Sequence, residues 1–586
     1  MVTLTINDFS VSVPAGTTIL DAAASAGIEI PSLCYLRDIN EIGACRVCCV
    51  EVEGEGKLVP SCDNVVRDGM VIHTNSPRVR EARRVNVELI MSQHDNQCAT
   101  CVRSGTCRLQ KVATDLGVLQ VPYPSDLAQG KKCSWTTTFP LQRNVNKCIK
   151  CMRCVQVCDK VQSLSIWDVS GSGSRTTVDV SGHRFIKEAD CSLCGQCITH
   201  CPTGALSERD DTARVFSALA DPDKITVVQI APAVRAAWGE AFGEDAAQAT
   251  VNRIVSALRK MGAEYVFDTT FSADLTIMEE GTELLRRLRA GDLAARPMFT
   301  SCCPGWVRFL KARYPGWTGR LSTAKSPQQM FGAVTKTWLA QRLGIDPDKI
   351  FSVSVMPCLA KKAECELPGM QAAEHGQDVD LVLTTRELTR LIRAENMDVA
   401  TLPEEAFDSP LGDGSGAGVI FGSTGGVMEA ALRSAYFLVN GVNPPPDAFH
   451  VVRGYDGGRH GWREATFELA GVTVRCAVAN GLANADRLLR ALERGEVHYE
   501  FVEVMACPGG CAGGGGQPVD GSDREKATER ADVLYALDQK MPLRFSHENP
   551  AVQALYSEYL DAPCTEKAEH LLHCDHFAWQ MPSQNP

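Results

Sequence analysis

The sequence has no uninterrupted apolar run close to the roughly 18 residues that a membrane-spanning helix needs. Its first residues, Met1 to Thr5, also lack the basic and apolar segments of an export signal, which favours a cytoplasmic location. Basic side chains are in deficit, with 59 Lys and Arg against 71 Asp and Glu, for a net charge of −12. This balance argues against nucleic acid or a membrane surface as the main partner and leaves proteins and small molecules.

Phosphate-binding motifs are missing as well. The sequence contains neither the G-x-G-x-x-G of a dinucleotide site nor the G-x-x-x-x-G-K-S/T of a triphosphate site. The glycine-rich run from Gly412 to Gly416 lacks either register and is predicted to be a flexible turn. We therefore expect no nucleotide cofactor bound by this chain.

Cysteine, by contrast, is abundant: 26 residues, of which 17 lie in the first 201 positions. Most of them stand two or three residues from another cysteine. Cytosolic thiols stay reduced, and cysteines this close in sequence seldom bridge each other, so the grouping indicates metal ligands. At about 150 residues per domain, the chain is expected to form about four units.

Four parts are predicted along the chain. Residues 1–78 alternate like a β-hairpin and then turn helical, as in a small α+β unit. Residues 79–135 combine a helix with a cysteine-rich segment, and residues 136–209 contain an internal repeat. Between 210 and 586, apolar strands alternate with helices. The predicted fold class is therefore multidomain, small α+β units followed by a large α/β domain with largely parallel sheets.

Three strand-like runs of the last part end directly at cysteine motifs. In open parallel sheets, ligands gather at the carboxyl ends of the strands. We therefore expect a buried active site at these strand ends.

The first cysteine motif has the form Cys34-x10-Cys45-x2-Cys48-x13-Cys62. Four thiolates at such spacings can surround a 2Fe-2S cluster. A structural zinc site is the alternative, but the long irregular spacings and the additional Cys49 match it poorly.

The second motif is His94-x3-Cys98-x2-Cys101-x5-Cys107. A lone histidine is more often an ordinary surface or core residue, but His94 stands directly before three grouped cysteines. A neutral imidazole in place of one thiolate lowers the charge on a 4Fe-4S cluster and generally raises its potential.

The third motif is an internal repeat, in which C-x2-C-x2-C-x3-C occurs twice at an offset of 43 residues. In bacterial ferredoxin runs of this kind the fourth cysteine ligates the other cluster. One 4Fe-4S cluster would then take Cys148, Cys151, Cys154 and Cys201, and the other Cys191, Cys194, Cys197 and Cys158. Asp159 follows the first run where proline is usual, a departure that leaves the ligands intact.

Three more motifs lie in the α/β part: Thr300 to Trp306 (TSCCPGW), Met356 to Glu364 (MPCLAKKAE) and Glu503 to Cys511 (EVMACPGGC). Together with the preceding motifs they resemble the iron-only (di-iron) hydrogenases over essentially the whole chain. The resemblance implies reversible H2 oxidation and proton reduction at an H-cluster. In that cofactor a 4Fe-4S cluster is joined to a di-iron unit with CO, cyanide and a bridging dithiolate.

The resemblance also implies roles for individual residues. Cys303, Cys358, Cys507 and Cys511 would hold the 4Fe-4S part, with Cys511 bridging to the di-iron unit. Cys302 would exchange protons with the dithiolate amine, and the proton route would continue through Glu280, Ser322, Glu283 and Arg287. Without the resemblance, Glu280 and Glu283, three residues apart on one helix face, would be assigned to a solvated charged surface.

Five further residues would surround the di-iron unit by the same resemblance. Lys361 would donate to a cyanide, and Met356 and Met428 would pack beside the iron atoms, although methionine is otherwise ordinary core. Pro232 and Ala233 would lie in a loop beside the second cyanide. Because Ala233 has no hydroxyl to donate, a backbone N–H would have to serve as the donor.

The remaining cysteines are expected to be inert buried thiols: Cys49, Cys133, Cys365, Cys476, Cys564 and Cys574. The run from His573 to His576 is predicted to be a short polar tail rather than a metal site.

Since no nicotinamide or flavin motif is present, electrons must pass to another protein. The domain order resembles the catalytic subunit of multimeric NAD(P)-reducing hydrogenases, which implies a hetero-oligomer with flavoprotein or 2Fe-2S subunits; ferredoxin is the alternative partner. Two other functions stay open. An electron-transfer subunit resembling the complex I large subunit is disfavoured by the three α/β motifs, and a hydrogen-sensing or assembly homologue by the intact Cys302 and Glu280.

Overall fold

A five-stranded sheet and one helix form the amino-terminal unit in a computed structural model of the chain, which describes residues 1–124, 135–454, 461–469, 472–521 and 525–584. In sheet order the strands are Phe9–Val13, Val2–Ile6, Val71–His73, Cys49–Val52 and Val59–Pro60. The alternating residues of the first hairpin turn Leu4 and Ile6 into the core, under the helix Ile19–Ser25. Thr18 caps that helix by accepting a hydrogen bond from the Asp21 amide at 3.1 Å.

Two helices, Pro77–Ser92 and Arg108–Asp115, follow this unit. Ser76 caps the first of them, and proline occupies its first turn, where a missing N–H is harmless. Arg83, buried on this helix, donates to the Cys49 carbonyl at 2.8 Å and so fastens the helix to the sheet.

The repeat unit contains two short antiparallel ribbons. Leu141–Arg143 pairs with Leu206–Glu208, and Trp167–Ser170 pairs with Thr177–Val180. Each cysteine run carries one helical turn, Arg153–Gln156 and Gln196–Thr199 respectively. The matching local structure fits the duplication in the sequence.

Two sheets organise the large carboxy-terminal part. The first is wholly parallel, in the order Tyr265–Asp268, Ile225–Ile230, Ile350–Met356 and Leu381–Thr384. The second has the order Met298–Phe299, Phe501–Met505, Val472–Asn480 and Arg463–Leu469, with only the last strand antiparallel. The predicted fold class is confirmed: ferredoxin-like units precede an α/β part with largely parallel sheets.

Helices cover both sheets. They are Thr212–Leu219, Val251–Lys260, Thr269–Arg289, Pro304–Arg313, Pro327–Val334, Ala340–Leu343, Lys361–Glu364, Thr385–Ala394, Gly416–Ile420, Gly426–Asn440, Leu482–Glu493, Ala527–Lys540, Pro550–Leu555 and Glu566–Leu572. Within the described ranges, none is long and apolar enough to cross a membrane.

The glycine-rich run begins in a turn over residues 409–412, as predicted, and leads into the helix Gly416–Ile420. Its later glycines are closely packed: a Cβ at Gly414 would lie 3.1 Å from the Thr270 carbonyl carbon, and one at Gly416 would lie 3.1 Å from the Asp538 Cα. Ser415, between the glycines, donates its backbone N–H to Asp274 at 2.8 Å. The glycines thus serve close packing at a helix start, a requirement set by residues distant in sequence.

Candidate active site

Four cysteine thiols meet where strands of the two sheets end. Cys358 follows the strand Ile350–Met356, Cys507 and Cys511 follow Phe501–Met505, and Cys303 lies just after Met298–Phe299. The pKa of the Cys507 thiol is raised well above its ordinary value by burial and by the neighbouring Cys358, Cys303 and Cys511. Four acidic groups brought this close in a buried site form a donor set suited to a cationic cluster.

Cys303 stands at the amino end of the helix Pro304–Arg313, where unpaired backbone N–H groups are available. Its sulfur accepts a hydrogen bond from the Ala506 N–H at 3.4 Å. N–H groups of the first helical turn also lower its pKa, although burial raises the pKa overall. The strand end and the helix start therefore both place donors around this sulfur.

Cys302, next to Cys303, is buried, and its thiol pKa is raised well above the ordinary value by burial and by the nearby Glu280. Glu280 is only 1% exposed, and neither of its carboxylate oxygens has a hydrogen-bond partner among the described residues. Burial, with the like charge of Glu283, raises the pKa of Glu280 to about 8. At neutral pH the Glu280 carboxyl group is therefore protonated, and it lies close to the Cys302 thiol.

Beside this carboxyl group, a hydrogen-bonded chain of Ser322, Glu283 and Arg287 leads outward. Ser322 lies near enough to lower the pKa of Glu280 in part, and its hydroxyl donates to Glu283 at 2.8 Å. Glu283 also accepts from the Thr323 amide at 3.0 Å and from Arg287 at 2.5 Å. Both carboxylates lie on the buried face of the helix Thr269–Arg289, which excludes the solvated surface expected from charge alone.

Lys361 places its ammonium group beside the site. Its Nζ donates to the Cys302 carbonyl at 3.0 Å and to Glu364 at 2.9 Å. Its charge lowers the pKa of the Cys358 and Cys511 thiols relative to burial alone. Glu364, which the sequence reasoning did not single out, also accepts from Ser326 at 2.9 Å and so fixes the lysine.

The other four predicted contact residues are all buried: Pro232, Ala233, Met356 and Met428. The Ala233 carbonyl accepts from Gln517 at 2.9 Å, which ties this loop to the segment after Cys511. Met428 donates its backbone N–H to Glu503 at 2.7 Å. Glu503 was missed from sequence, although an acidic residue inside the apolar strand Phe501–Met505 is a signal; burial raises its pKa to about 7.

The amino-terminal unit brings its four motif cysteines into two adjoining pairs. The thiols of Cys34 and Cys45 lie close enough to shift each other's pKa, as do those of Cys48 and Cys62. The neighbouring thiol lowers the pKa of Cys45 to about 6 and that of Cys48 to about 7. The charge of Cys48 also raises the pKa of Cys34, so the two pairs lie together as one group.

His94 is 5% exposed, and its Nδ1 has no hydrogen-bond partner among the described residues. Burial and the adjacent Lys147 lower its pKa, which keeps the imidazole neutral. Cys101 and Cys107 lie close enough to influence each other, whereas Cys98 is exposed. A buried nitrogen without a partner is costly unless it binds something, which suits a metal ligand.

The structure sorts the eight repeat cysteines across the two runs. Burial raises the pKa of Cys154, and so do Cys151, Cys148 and Cys201. Cys197 is raised in the same way by Cys191 and by Cys158 of the other run. The fourth cysteine of each run thus lies with the first three of the other run.

The second of these groups adjoins the site at the strand ends. Cys507 Sγ lies 3.6 Å from the Cys194 carbonyl oxygen, and its charge raises the pKa of Cys194. Gly195 has φ +72°, and a Cβ there would lie 2.8 Å from the Cα of Gly515. Glycine at both positions lets the two backbones touch.

The first group adjoins the amino-terminal unit. Asn40 donates to the carbonyls of both Cys34 and Cys151, at 2.7 and 2.9 Å. Arg153, buried in the repeat unit, donates to the Tyr35 carbonyl at 2.8 Å. Hydrogen bonds through the Asn40 side chain therefore link the backbones of the two cysteine groups.

The cysteines without a predicted ligand role are buried or half-buried where the structure describes them. Cys49, Cys365, Cys476 and Cys564 are buried, Cys574 is half-buried, and Cys133 lies outside the described residues.

The run from His573 to His576 is not the polar tail that the sequence predicts. Its backbone packs against residues 323–325, with the Cys574 N–H donating to the Thr323 carbonyl at 2.8 Å.

The chain is similar to five known families along its length. Residues 224–515 match the family described as iron only hydrogenase large subunit, C-terminal domain, and residues 524–579 match the iron hydrogenase small subunit. Residues 1–77 match a 2Fe-2S iron-sulfur cluster binding domain, residues 83–122 an iron-sulfur binding region of NADH-ubiquinone oxidoreductase-G, and residues 147–205 a 4Fe-4S dicluster domain.

Individual proteins match over most of their length. The chain is 46% identical to the NADP-reducing hydrogenase subunit HndD of Solidesulfovibrio fructosivorans, over 99% of both chains. It is 38% identical to iron hydrogenase 1 of Clostridium pasteurianum, over 98% of this chain and 99% of that one. An apo FeFe-hydrogenase variant from Chlamydomonas reinhardtii aligns with a TM-score of 0.56 at 40% identity, over 64% of this chain and 99% of that one.

Proposed function

Since the chain belongs to the family of iron-only hydrogenases, we propose that it is a catalytic subunit that interconverts H2 with two protons and two electrons. One observation carries the proposal: four grouped thiols at the strand ends lie beside Cys302 and Glu280, and a hydrogen-bonded chain that starts at the neighbouring Ser322 leads outward. A site that only transfers electrons has no need of such a proton route.

The residues at this site fit an H-cluster. We propose that Cys303, Cys358, Cys507 and Cys511 hold its 4Fe-4S part and that Cys511 also reaches the di-iron unit. When bound, the di-iron unit supplies the centre at which H2 is split or formed. The apolar walls contributed by Met356, Met428 and Ala233 would exclude water from it.

The chain's own residues would move the proton. Cys302 and Glu280 are both protonated at neutral pH, because burial disfavours their charged forms. A proton passed to Glu280 can leave through Ser322, whose hydroxyl already donates to Glu283. Arg287 would stabilise the charged form of Glu283 at the outer end, since the two side chains are 2.5 Å apart.

For the electrons we propose four accessory clusters. A 2Fe-2S cluster would take Cys34, Cys45, Cys48 and Cys62; a 4Fe-4S cluster would take His94, Cys98, Cys101 and Cys107; the repeat would hold two more 4Fe-4S clusters with crossed fourth ligands. Support comes from the contacts of Cys194 with Cys507 and of Asn40 with Cys34 and Cys151, which leave short distances between the groups.

The partner is proposed to be an electron-transfer protein that docks on the amino-terminal parts. The exposed Cys98, with the exposed Val102 four residues further along the chain, puts the histidine-containing group at the surface. A relative over the whole chain is an NADP-reducing hydrogenase subunit, which favours a flavoprotein or 2Fe-2S partner subunit over a free ferredoxin. A cytoplasmic location is proposed as well, because grouped cysteines that serve as cluster ligands must stay reduced.

Isotope exchange tests the activity without any partner. Protein matured with its cofactor is placed under H2 in D2O, and the release of HD and D2 is followed by mass spectrometry. The proposal predicts steady exchange. Absence of exchange from protein with a complete complement of iron would contradict it and favour the electron-transfer or hydrogen-sensing alternative.

A further inference from the structure

The carboxy-terminal residues 572–576, here called the terminal segment, run beside residues 321–325, here called the serine loop because they include Ser322. The Lys325 N–H donates to the Leu572 carbonyl at 2.8 Å, and the Cys574 N–H donates to the Thr323 carbonyl at 2.8 Å. These bonds flank a bridge between Ala324 and His573. The loop that carries the relay hydroxyl is therefore held by a segment some 250 residues further along the chain.

Two histidines of the terminal segment bind the serine loop through their side chains. His576 donates from Nε2 to the Ser322 carbonyl at 2.7 Å, and His573 meets the Thr323 hydroxyl with Nδ1 at 2.8 Å. The other ring nitrogen of His573 lies 3.0 Å from Glu279 Oε2. Because a carboxylate only accepts, this Nε2 carries a hydrogen and donates it to Glu279, while Nδ1 forms the bond to the Thr323 hydroxyl.

Glu279 is the residue before Glu280 on the helix Thr269–Arg289. It is fully buried and is held by the Tyr556 hydroxyl at 2.6 Å and the Cys564 N–H at 2.7 Å. The imidazole of His573 thus connects the helix that carries both relay carboxylates with the loop that carries the relay hydroxyl. That connection fixes the distance across which Ser322 must reach.

The terminal segment is itself anchored near the cysteine site. Lys311, buried on the helix that begins after Cys303, donates to the carbonyls of His576 and Trp579. Its ammonium group also lies 3.8 Å from the centre of the Trp579 ring. Lys311 therefore holds the terminal segment in place in addition to the contacts with the serine loop.

We propose that His573 and His576 are positioning residues of the proton relay, which hold the serine loop so that Ser322 stays in hydrogen-bond contact with Glu283. This inference rests on the proposed function, because it concerns the same relay. Proton transfer requires donors and acceptors at hydrogen-bond distance, and a displacement of about 1 Å can reduce a rate about a hundredfold.

The test compares His573→Ala, His573→Gln and the control His570→Ala, which changes an exposed histidine of the neighbouring helix. Glutamine retains one donor for Glu279 and one acceptor for Thr323, so it should restore most of the function. We expect His573→Ala to slow exchange of H2 with D2O by about tenfold or more, with unchanged cofactor infrared bands. His570→Ala should match the parent.

A second readout is independent of turnover. Amide hydrogen exchange of Thr323 and Lys325, measured on protein that holds only its iron-sulfur clusters, should be faster in His573→Ala and near the parent in His573→Gln. Accelerated amide exchange with full turnover would overturn the positioning role. If His573→Ala does not fold, Thr323→Val removes the same hydrogen bond with little change in shape and decides the question.

Glu283→Gln separates this inference from the proposed function. If Glu283→Gln loses turnover while His573→Ala and Thr323→Val keep it, the relay stands and the positioning role is wrong. If Glu283→Gln itself keeps full turnover, the proposed relay is wrong, and the histidines have nothing to position.

Discussion

Single residues at the strand-end site differ sharply in how burial affects their protons. Glu280 and Glu503 are both buried carboxyl groups with raised pKa values, of about 8 and about 7. Glu503 accepts two backbone N–H bonds, at 2.8 and 2.7 Å, whereas Glu280 has no hydrogen-bond partner among the described residues. Backbone hydrogen bonds therefore fix Glu503 in place, whereas Glu280 is able to exchange a proton.

The stability of the protein should depend on Glu280 in a defined pH window. Its pKa is about 8 in the folded protein against an ordinary 4.5. The folded state therefore binds more protons between these values, and stability falls as pH rises from about 4.5 to about 8. Glu280→Gln removes this loss. The gain in melting temperature over the parent should be larger at pH 8 than at pH 5, by about 2 °C or more; equal offsets at both values would contradict the raised pKa.

Cys302→Ser should separate proton transfer from cofactor binding. Its buried thiol lies beside Glu280 but is not one of the four proposed ligands. We expect the cluster spectrum to be retained and turnover to fall about a hundredfold, which is within the usual contribution of a proton donor. Cys476→Ala, which alters a buried thiol in the apolar core, is the control. Full turnover in Cys302→Ser would refute the assignment.

His94→Cys should change one reduction potential. The proposed cluster would gain a negative charge when a thiolate replaces the neutral imidazole, so its potential should fall by about 100 mV. A redox titration followed by electron paramagnetic resonance measures the shift. An unchanged set of potentials, with all clusters present, would show that His94 is not a ligand.

At the scale of elements, contacts between separately folded parts position the chemistry. The repeat unit touches the loop after Cys511 through Gly195 and Gly515, with no side chain between the backbones. The terminal segment likewise reaches the serine loop from the far end of the chain. Such contacts depend on how the units dock, which local patterns do not encode.

Gly195→Ala tests the first of these contacts, with Gly291→Ala as a matched control. Both glycines have a positive φ, +72° and +70°, so alanine strains either backbone by about 1–2 kcal/mol. Only the Cβ at 195 would meet another backbone, whereas nothing lies within 4 Å at 291. We expect only Gly195→Ala to slow the reduction of the accessory clusters by H2. Stopped-flow absorbance measures this rate. Equal rates in the two variants would mean that the contact does not serve electron transfer.

Elements with strong local patterns could be predicted from sequence. The strand Ile350–Met356 and the helix Val251–Lys260 lie in the part where apolar strands alternating with helices are predicted. Both carry apolar residues at the period of their structure, which burial requires. The cysteine groupings followed from spacing in the same way, and their ligand roles stay predictions.

Other features could not be predicted, because they are decided by residues far away in sequence. The glycines near 414 appear flexible until Thr270 and Asp538 are placed against them. The polar sequence of His573 to His576 resembles a tail, but residues 321–325 lie against it. Glu364 is fixed beside Lys361 because Ser326, 38 residues earlier in the chain, donates a hydrogen bond to it.

For the whole molecule, the account joins a proton route and an electron route at one buried site. The proposed electron route runs from the amino-terminal groups through the repeat unit to Cys507, and the proton route leaves through the helix Thr269–Arg289. The two routes leave the site through different elements. That separation is what a reaction with both protons and electrons needs.

The most direct test of the central claim is an infrared spectrum of anaerobically matured protein, recorded before and after addition of H2. Metal-bound CO and cyanide absorb in a window where protein does not. The account predicts bands in that window that shift when H2 is added. Absence of these bands, from protein produced together with the maturation machinery and complete in its iron-sulfur clusters, would contradict it and leave an electron-transfer protein.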